Sequence, residues 1–242
     1  MKYGILGDIH ANLSALETAL SHLDAAGCEV LVSVGDVVGY GAAPSACIAH
    51  LRERDVHVVM GNHDAACAEL LDDRYFNPYA REAVAWTRNA LDRDELRWLA
   101  QRPLVVTLEH CQVAHGTIHE PEAFHYLMEM HDALPSLRIL ERPVGFVGHT
   151  HVPLSVFQFP DGQYGYTIDA DVDLTEIERA VVNVGSVGQP RDENPHTAFA
   201  VFDSESRQVQ VCRAAYDVDS EVRRILDAGL PQVLANRLKL GV

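Results

Sequence analysis

An α/β fold is predicted by three observations: short apolar runs rich in β-branched residues, helical stretches between them, and a polar motif at the end of each run. The runs are Tyr3 to Leu6, Val30 to Val34, Val56 to Met60, Val113 to Ala114 and Val144 to Val147, and they read as strands buried on both faces. In open α/β sheets ligands bind beyond the carboxyl ends of the strands, so one cleft edge can collect whatever follows these runs.

The elements follow in order. Met1-Lys2-Tyr3 enters the first strand at once, and no signal peptide is expected. Leu13, Leu16, Leu20 and Leu23 recur on one face of a helix expected over residues 13–26, which Gly27 ends. Strand, helix, strand in that order implies parallel pairing through a right-handed crossover. A similar unit runs from Pro44 to Arg52, and a further helix is expected from Asp64 to Leu71. Two helical stretches lie between Tyr79 and Arg102, the second opening with Asp92 and Glu95 in capping-box spacing. This insertion is expected to cap the cleft, with Trp86 and Trp98 as core anchors.

After residue 151 the pattern turns to hairpins. Leu154 to Phe159 and Tyr164 to Ile168 flank Pro160-Asp161-Gly162, while Thr197 to Phe202 and Gln208 to Arg213 flank Asp203-Ser204-Glu205. Both hairpins are expected in a second sheet. The acidic stretch Asp169 to Glu178 reads as a solvated connection, and Asp217 to Leu240 as one or two surface helices. With 242 residues and 48% hydrophobic content the chain can bury one substantial core, so a single domain over residues 1–242 is expected.

Composition excludes several classes. The formal charge is −16, with 19 basic residues against 35 acidic ones and no dense basic run, so extended nucleic-acid binding is not expected. A small phosphorylated substrate remains compatible, because bound cations reverse the potential locally in an acidic cleft. Cys28, Cys47, Cys67, Cys111 and Cys212 are odd in number and lack a C-x-x-C spacing, which suggests small core residues rather than a disulfide framework or zinc ribbon. No apolar run approaches membrane-spanning length, so the expectation is no membrane association and a cytoplasmic location.

Five motifs carry the chemistry: Gly7-Asp8-Ile9-His10, Gly35-Asp36, Gly61-Asn62-His63-Asp64, His115-Gly116 and Gly148-His149-Thr150-His151. Each starts directly after a strand, and together they offer the carboxylate, imidazole and amide donors that a site for two cations such as manganese, iron or zinc requires. Taken singly each has a plainer reading. Gly35-Asp36 is an ordinary turn, Asp8 and Asn62 are acceptable helix caps, and a lone His115 is more often packed than ligating. Their joint occurrence at strand ends favours the metal site. A carboxylate shared by two cations holds them about 3.5–4 Å apart, and the cations lower the pKa of bound water from about 15.7 towards ~7, which supplies a nucleophile at neutral pH.

These motifs resemble the calcineurin-like metallophosphoesterase family, whose pattern is D-x-H, G-D, G-N-H-D/E, H, then G-H-x-H, over residues 7–151. The resemblance implies a four-layer αββα sandwich, two mixed β-sheets face to face with helices outside, hydrolysing a phosphoester. It also implies that Asp8, His10, Asp36 and His151 hold a first metal, with Asp36 bridging, and that Asn62, His115 and His149 complete the second. His63 would be the non-ligating histidine beside the substrate, meeting charge on the phosphoryl oxygens and able to protonate the leaving oxygen.

Departures from relatives narrow the reading. Protein serine/threonine phosphatases and bacterial diadenosine tetraphosphatases of this superfamily carry Asp-Arg-Gly after the second motif; here Gly35-Asp36-Val37-Val38-Gly39-Tyr40-Gly41 has no arginine, and neither specificity is supported. The chain looks more like the small prokaryotic phosphoesterases, and a phosphodiesterase or broad phosphatase acting on a small phosphorylated or nucleotide substrate is expected. Ala11 stands where many relatives have glycine, which puts substrate backing by Asn12 in doubt. The segment Asn183 to Asp192 resembles the N-x-G-S loop that approaches the cleft in this family, and Arg191 is a candidate phosphate grip there, against a plain loop with Arg191 paired to Asp192 or Glu193. His119, His125 and His196 receive no role. A protein-binding scaffold with the same fold and little catalysis is the alternative function; the complete ligand set and His63 favour hydrolysis.

Overall fold

The computed structural model describes residues 1–242. In chain order the elements are β1 (Lys2–Leu6), α1 (Leu13–Ala25), β2 (Val30–Ser33), α2 (Pro44–Glu53), β3 (His57–Val58), α3 (Asn62–Cys67), α4 (Pro78–Ala90) and α5 (Arg93–Ala100). They continue with β4 (Val105–Thr107), β5 (Cys111–Ala114), α6 (Met130–Ile139), β6 (Val144–Val147), β7 (Leu154–Gln158), β8 (Tyr164–Thr167) and β9 (Asp171–Asp173). The chain closes with β10 (Arg179–Asn183), β11 (Thr197–Asp203), β12 (Gln208–Ala214), α7 (Val218–Asp227) and α8 (Gln232–Leu240). No helix is long and apolar enough to cross a membrane.

The strands form two mixed six-stranded sheets, β3-β2-β1-β11-β12-β9 and β4-β5-β6-β10-β7-β8. The first three strands of the chain pair in parallel, as do β5, β6 and β10. Tyr3 and Ile5 of β1 point into the apolar layer between the sheets, where they join Phe146, Val182 and Phe202. Leu6 faces the other way, under α1 and α2, with Leu16, Leu20, Ile48 and Leu51. On the outer face of the second sheet α6 buries Ala133 and Leu137 against Val147, Val156 and Val181. The period-2 alternation of each strand thus feeds two different cores, giving the αββα sandwich that the resemblance implies.

Several expectations are corrected. The hairpin β11–β12 does not enter the second sheet: β11 runs antiparallel to β1, with Leu6 opposite Phe199. Alternation marks a segment as a strand and says nothing about which edge it will pair with. The five motif-bearing strands are likewise split, three in one sheet and two in the other, so the cleft lies across two sheet ends rather than along one. Within the acidic connection Asp171–Asp173 forms the edge strand β9, with Val172 buried between two outward aspartates. The strand expected over Val56 to Met60 shortens to β3, because Met60 N–H leaves the sheet to donate to Pro103 O at 2.8 Å. The helices α4 and α5 pack on α3, and Ala80 and Ala83 of α4 also pack with Tyr40.

Candidate metal centre

Two buried clusters face one another at the ends of the sheets. Asp8, His10 and His151 form one and Asp36, His115 and His149 the other, with one donor atom from each residue lying within 4.8 Å of its partners. Asp36 Oδ2 is 3.3 Å from His115 Nε2 and 3.6 Å from His10 Nε2, so this carboxylate touches both groups. Asn62 Oδ1 lies 3.0 Å from His115 Nε2. All seven side chains singled out as ligands are therefore brought together, from loops that follow β1, β2, β3, β5 and β6.

The donor set fits cations for a reason visible in its hydrogen bonds. Backbone carbonyls only accept, so the Nδ1 atoms of His10, His115 and His151 carry the ring protons that they donate to Val38 O (3.0 Å), Val34 O (2.8 Å) and Gln189 O (2.6 Å). That fixes Nε2 as the free lone pair on each ring. The Nε2 atoms of His10 and His151 then lie 3.1 Å apart with no proton to share, and His115 Nε2 lies 3.0 Å from His149 Nδ1. An electrophile between them removes the repulsion. Burial keeps these rings neutral, holding His10 and His151 well below the ordinary imidazole range and His149 down to about 3. At His115 burial also opposes a charge, but the adjacent Asp36 carboxylate overrides it and raises the pKa to about 9, so without a cation a proton takes its place. Burial pushes the Asp8 carboxyl up to about 7, the cost of an anion in this pocket that a positive ion offsets.

The backbone is strained where the donors sit. Asp8, His10, Asp36, His149 and His151 all have φ between 46° and 70°, a left-handed conformation costing about 1–3 kcal/mol each. Ala11 shares it at 52°, a position where glycine would be free of strain. Two glycines serve close approach: a Cβ at Gly61 would lie 2.0 Å from Asp36 Oδ1, and one at Gly148 would lie 2.4 Å from Asp8 Oδ2. The loops are tied to one another by polar side chains. Asp8 accepts from His149 N–H at 3.0 Å, and Ser186 Oγ donates to Asp8 O at 2.8 Å. Asn183 Nδ2 donates to Gly148 O and Thr150 Oγ1, both at 2.7 Å.

Asp64, quoted in the third motif without a role, accepts from Gly61 N–H and Val38 N–H at 3.1 Å each and so binds the second loop to the third. Asn62 is the first residue of α3 rather than its cap. Asn12 is occupied by structure: its Oδ1 caps α1 through Ala15 N–H, and its Nδ2 donates to Gly188 O at 2.8 Å and to the Tyr216 hydroxyl. Both amide protons of Asn12 are thus directed at the protein. His196 lies in the exposed loop before β11, while His119 and His125 line a cavity beside the centre.

His63 stands against the ligands without joining them. Its ring packs among Tyr40 (4.5 Å between centroids), His10 (4.9 Å) and Phe76 (5.0 Å), and its backbone N–H donates to Asp36 Oδ1 at 2.8 Å. Nδ1 is buried without a partner against Gly39, where a Cβ would lie 2.5 Å away. Burial lowers the pKa to about 4 even though Asp36 pulls the other way. Arg191 does not pair with Asp192, which bonds Arg213 instead. Its Nη2 donates to Gln189 Oε1 at 3.0 Å, its guanidinium lies 5.8 Å from the Tyr40 ring centroid, and its Nε is buried without a partner.

Comparisons agree with this geometry. The Calcineurin-like phosphoesterase superfamily domain matches residues 1–207. An uncharacterized protein of Methanocaldococcus jannaschii is 31% identical over 98% of this chain and 97% of its own length. The crystal structure of a metallophosphoesterase from Sphaerobacter thermophilus superposes with a TM-score of 0.85 at 35% identity, covering 100% of this chain and 99% of that one. A hypothetical protein of Pyrococcus horikoshii OT3 shares the fold, with a TM-score of 0.81 at 19% identity over 100% of this chain and 98% of its own. The family is dinuclear-metal dependent, and the two buried His/Asp clusters are where this chain could hold such ions. With paired clusters, neutral imidazoles and a shared carboxylate on this scaffold, the chain belongs to the calcineurin-like phosphoesterases and is a metal-dependent phosphoesterase hydrolase.

Proposed function

We propose that the chain hydrolyses a small phosphodiester, using two divalent ions of the manganese, iron or zinc type. The observation that carries this reading is the convergence of imidazole lone pairs, with Nδ1 protons locked onto backbone carbonyls, around a carboxylate common to both clusters. Asp8, His10, Asp36 and His151 would hold one ion, with Asn62, His115, His149 and the shared Asp36 holding the other. Such a pair supplies Lewis acidity and a nucleophile from water near neutral pH. The seven residues orient that chemistry. His63, neutral above about pH 4, offers an Nε2–H donor to a phosphoryl oxygen rather than an imidazolium for the leaving group.

Arg191 supports a phosphodiester. One guanidinium, bonded to Gln189 and lying beside Tyr40, would meet the single negative charge of a diester, and the second motif adds no further arginine. The test is turnover by the manganese-loaded protein on a panel of phosphodiesters, phosphomonoesters and nucleotides. Diesters are expected to react at least as fast as monoesters; a strong monoester preference would overturn the diester reading, and no turnover on any member would overturn hydrolysis. Arg191→Lys is expected to lower kcat/KM by roughly tenfold or more, the worth of one charged hydrogen bond, with metal content unchanged. Unaltered constants would return Arg191 to the loop.

A further inference from the structure

The loop between β5 and α6 carries an aromatic ring that the proposed chemistry does not use. Tyr126 stacks on the ring of His149, with centroids 4.0 Å apart and planes inclined by 21°, yet the residue remains 55% exposed. One face therefore lies on the centre and the other is open. The ring is held in place by its neighbours: Leu127 is buried, Phe124 meets His115 edge-on at 5.9 Å, and a Cβ at Gly116 would lie 2.5 Å from His125 O, so the loop is pressed against the fourth motif.

Beside the ring opens a cavity of about 390 Å³ bordered by Thr117, His119, Glu120, His125 and Asp132 as well as Tyr126. That size suits a small organic group. The lining combines a flat π-face with imidazole, hydroxyl and carboxylate groups at its rim. A second phosphate would meet Glu120 and Asp132 and be repelled, and an acyl chain would find few apolar walls. A nucleobase matches both features, because it stacks through its face and presents donors and acceptors around its edge.

On the reading that the centre takes a phosphoester, we infer that Tyr126 is the platform for a nucleobase carried by the substrate, so that the substrate class is a nucleoside phosphoester. A base on the open face lies across the Tyr126 ring from His149, and its phosphate would reach the centre past the ring edge, on the side of His115 and His149. Tyr126 thereby sets specificity and takes no part in bond breaking.

The experiment is equilibrium binding to the manganese-loaded protein of two ligands that share a phosphomonoester, adenosine 5′-monophosphate and glycerol 3-phosphate. Adenosine 5′-monophosphate is expected to bind about tenfold more tightly, the order of one base–aromatic stack. Tyr126→Leu should abolish that preference and Tyr126→Phe should keep it. Because the readout is a ratio, any disturbance of His149 weakens both ligands alike and leaves the ratio standing. Equal affinities in the parent, or a preference that survives Tyr126→Leu, overturns the inference. Binding needs no turnover, so failure of hydrolysis in the substrate panel is a separate result.

Discussion

Asp36→Asn is expected to reduce manganese content from about two ions per chain to one or fewer and to lower turnover by roughly 10²–10³, several kcal/mol of lost electrophilic assistance. The carboxylate lies 3.6 Å from His10 Nε2 in one cluster and 3.3 Å from His115 Nε2 in the other, so it is the charge that both would share. An asparagine is nearly isosteric and can still accept from His63 N–H through its carbonyl. Its NH₂ would face imidazole nitrogens that present lone pairs, and by donating to them it would compete with a cation for the same electrons. Elemental analysis of loaded protein, with circular dichroism to confirm the fold, measures the effect. Two ions retained at parental turnover would remove Asp36 as the bridge.

His63→Ala is expected to keep both ions and lose roughly 10²–10³ in kcat, the usual consequence of deleting one positioned donor to a developing oxyanion. None of the seven ligand side chains is hydrogen-bonded to the ring, which is held by packing against Tyr40, Phe76 and His10. The sign of its titration matters. Burial depresses the pKa to about 4, so the neutral donor is the species present at all higher pH and is lost only as pH falls through that value. Between pH 5 and 9 the parent and the variant should therefore differ by a constant factor. A ratio that collapses as pH rises through 6–7 would instead mark His63 as a proton donor, and equal kcat in both proteins would remove it from the mechanism.

The ligand motifs were legible because each is a short glycine-led segment at the end of a buried strand, and strand ends are where chains of this class gather their polar residues. The supports were less so. Asp64 stood in a quoted motif, but its carboxylate binds Val38 N–H, 26 residues away, a pairing that no spacing reveals. Tyr126 left no signal, since an exposed tyrosine in a loop is unremarkable until His149 is found beneath it. Asn12 pairs with Gly188 O, 176 residues along the chain, a contact that no local spacing reveals.

By itself the sequence determined the local elements and the donor types: the β-branched runs, the leucine face of α1, and the Asp, His and Asn side chains able to bind cations. These depend on periodicity and residue chemistry within a few neighbours. Only the tertiary structure decided that β11 and β12 pair beside β1, that the motifs meet across the ends of two sheets, and that Arg191 bonds Gln189 while Asp192 takes Arg213. Each of those is a choice among partners of similar local fitness, settled by which arrangement buries both faces of every strand and leaves the strained ligand loops tied to one another.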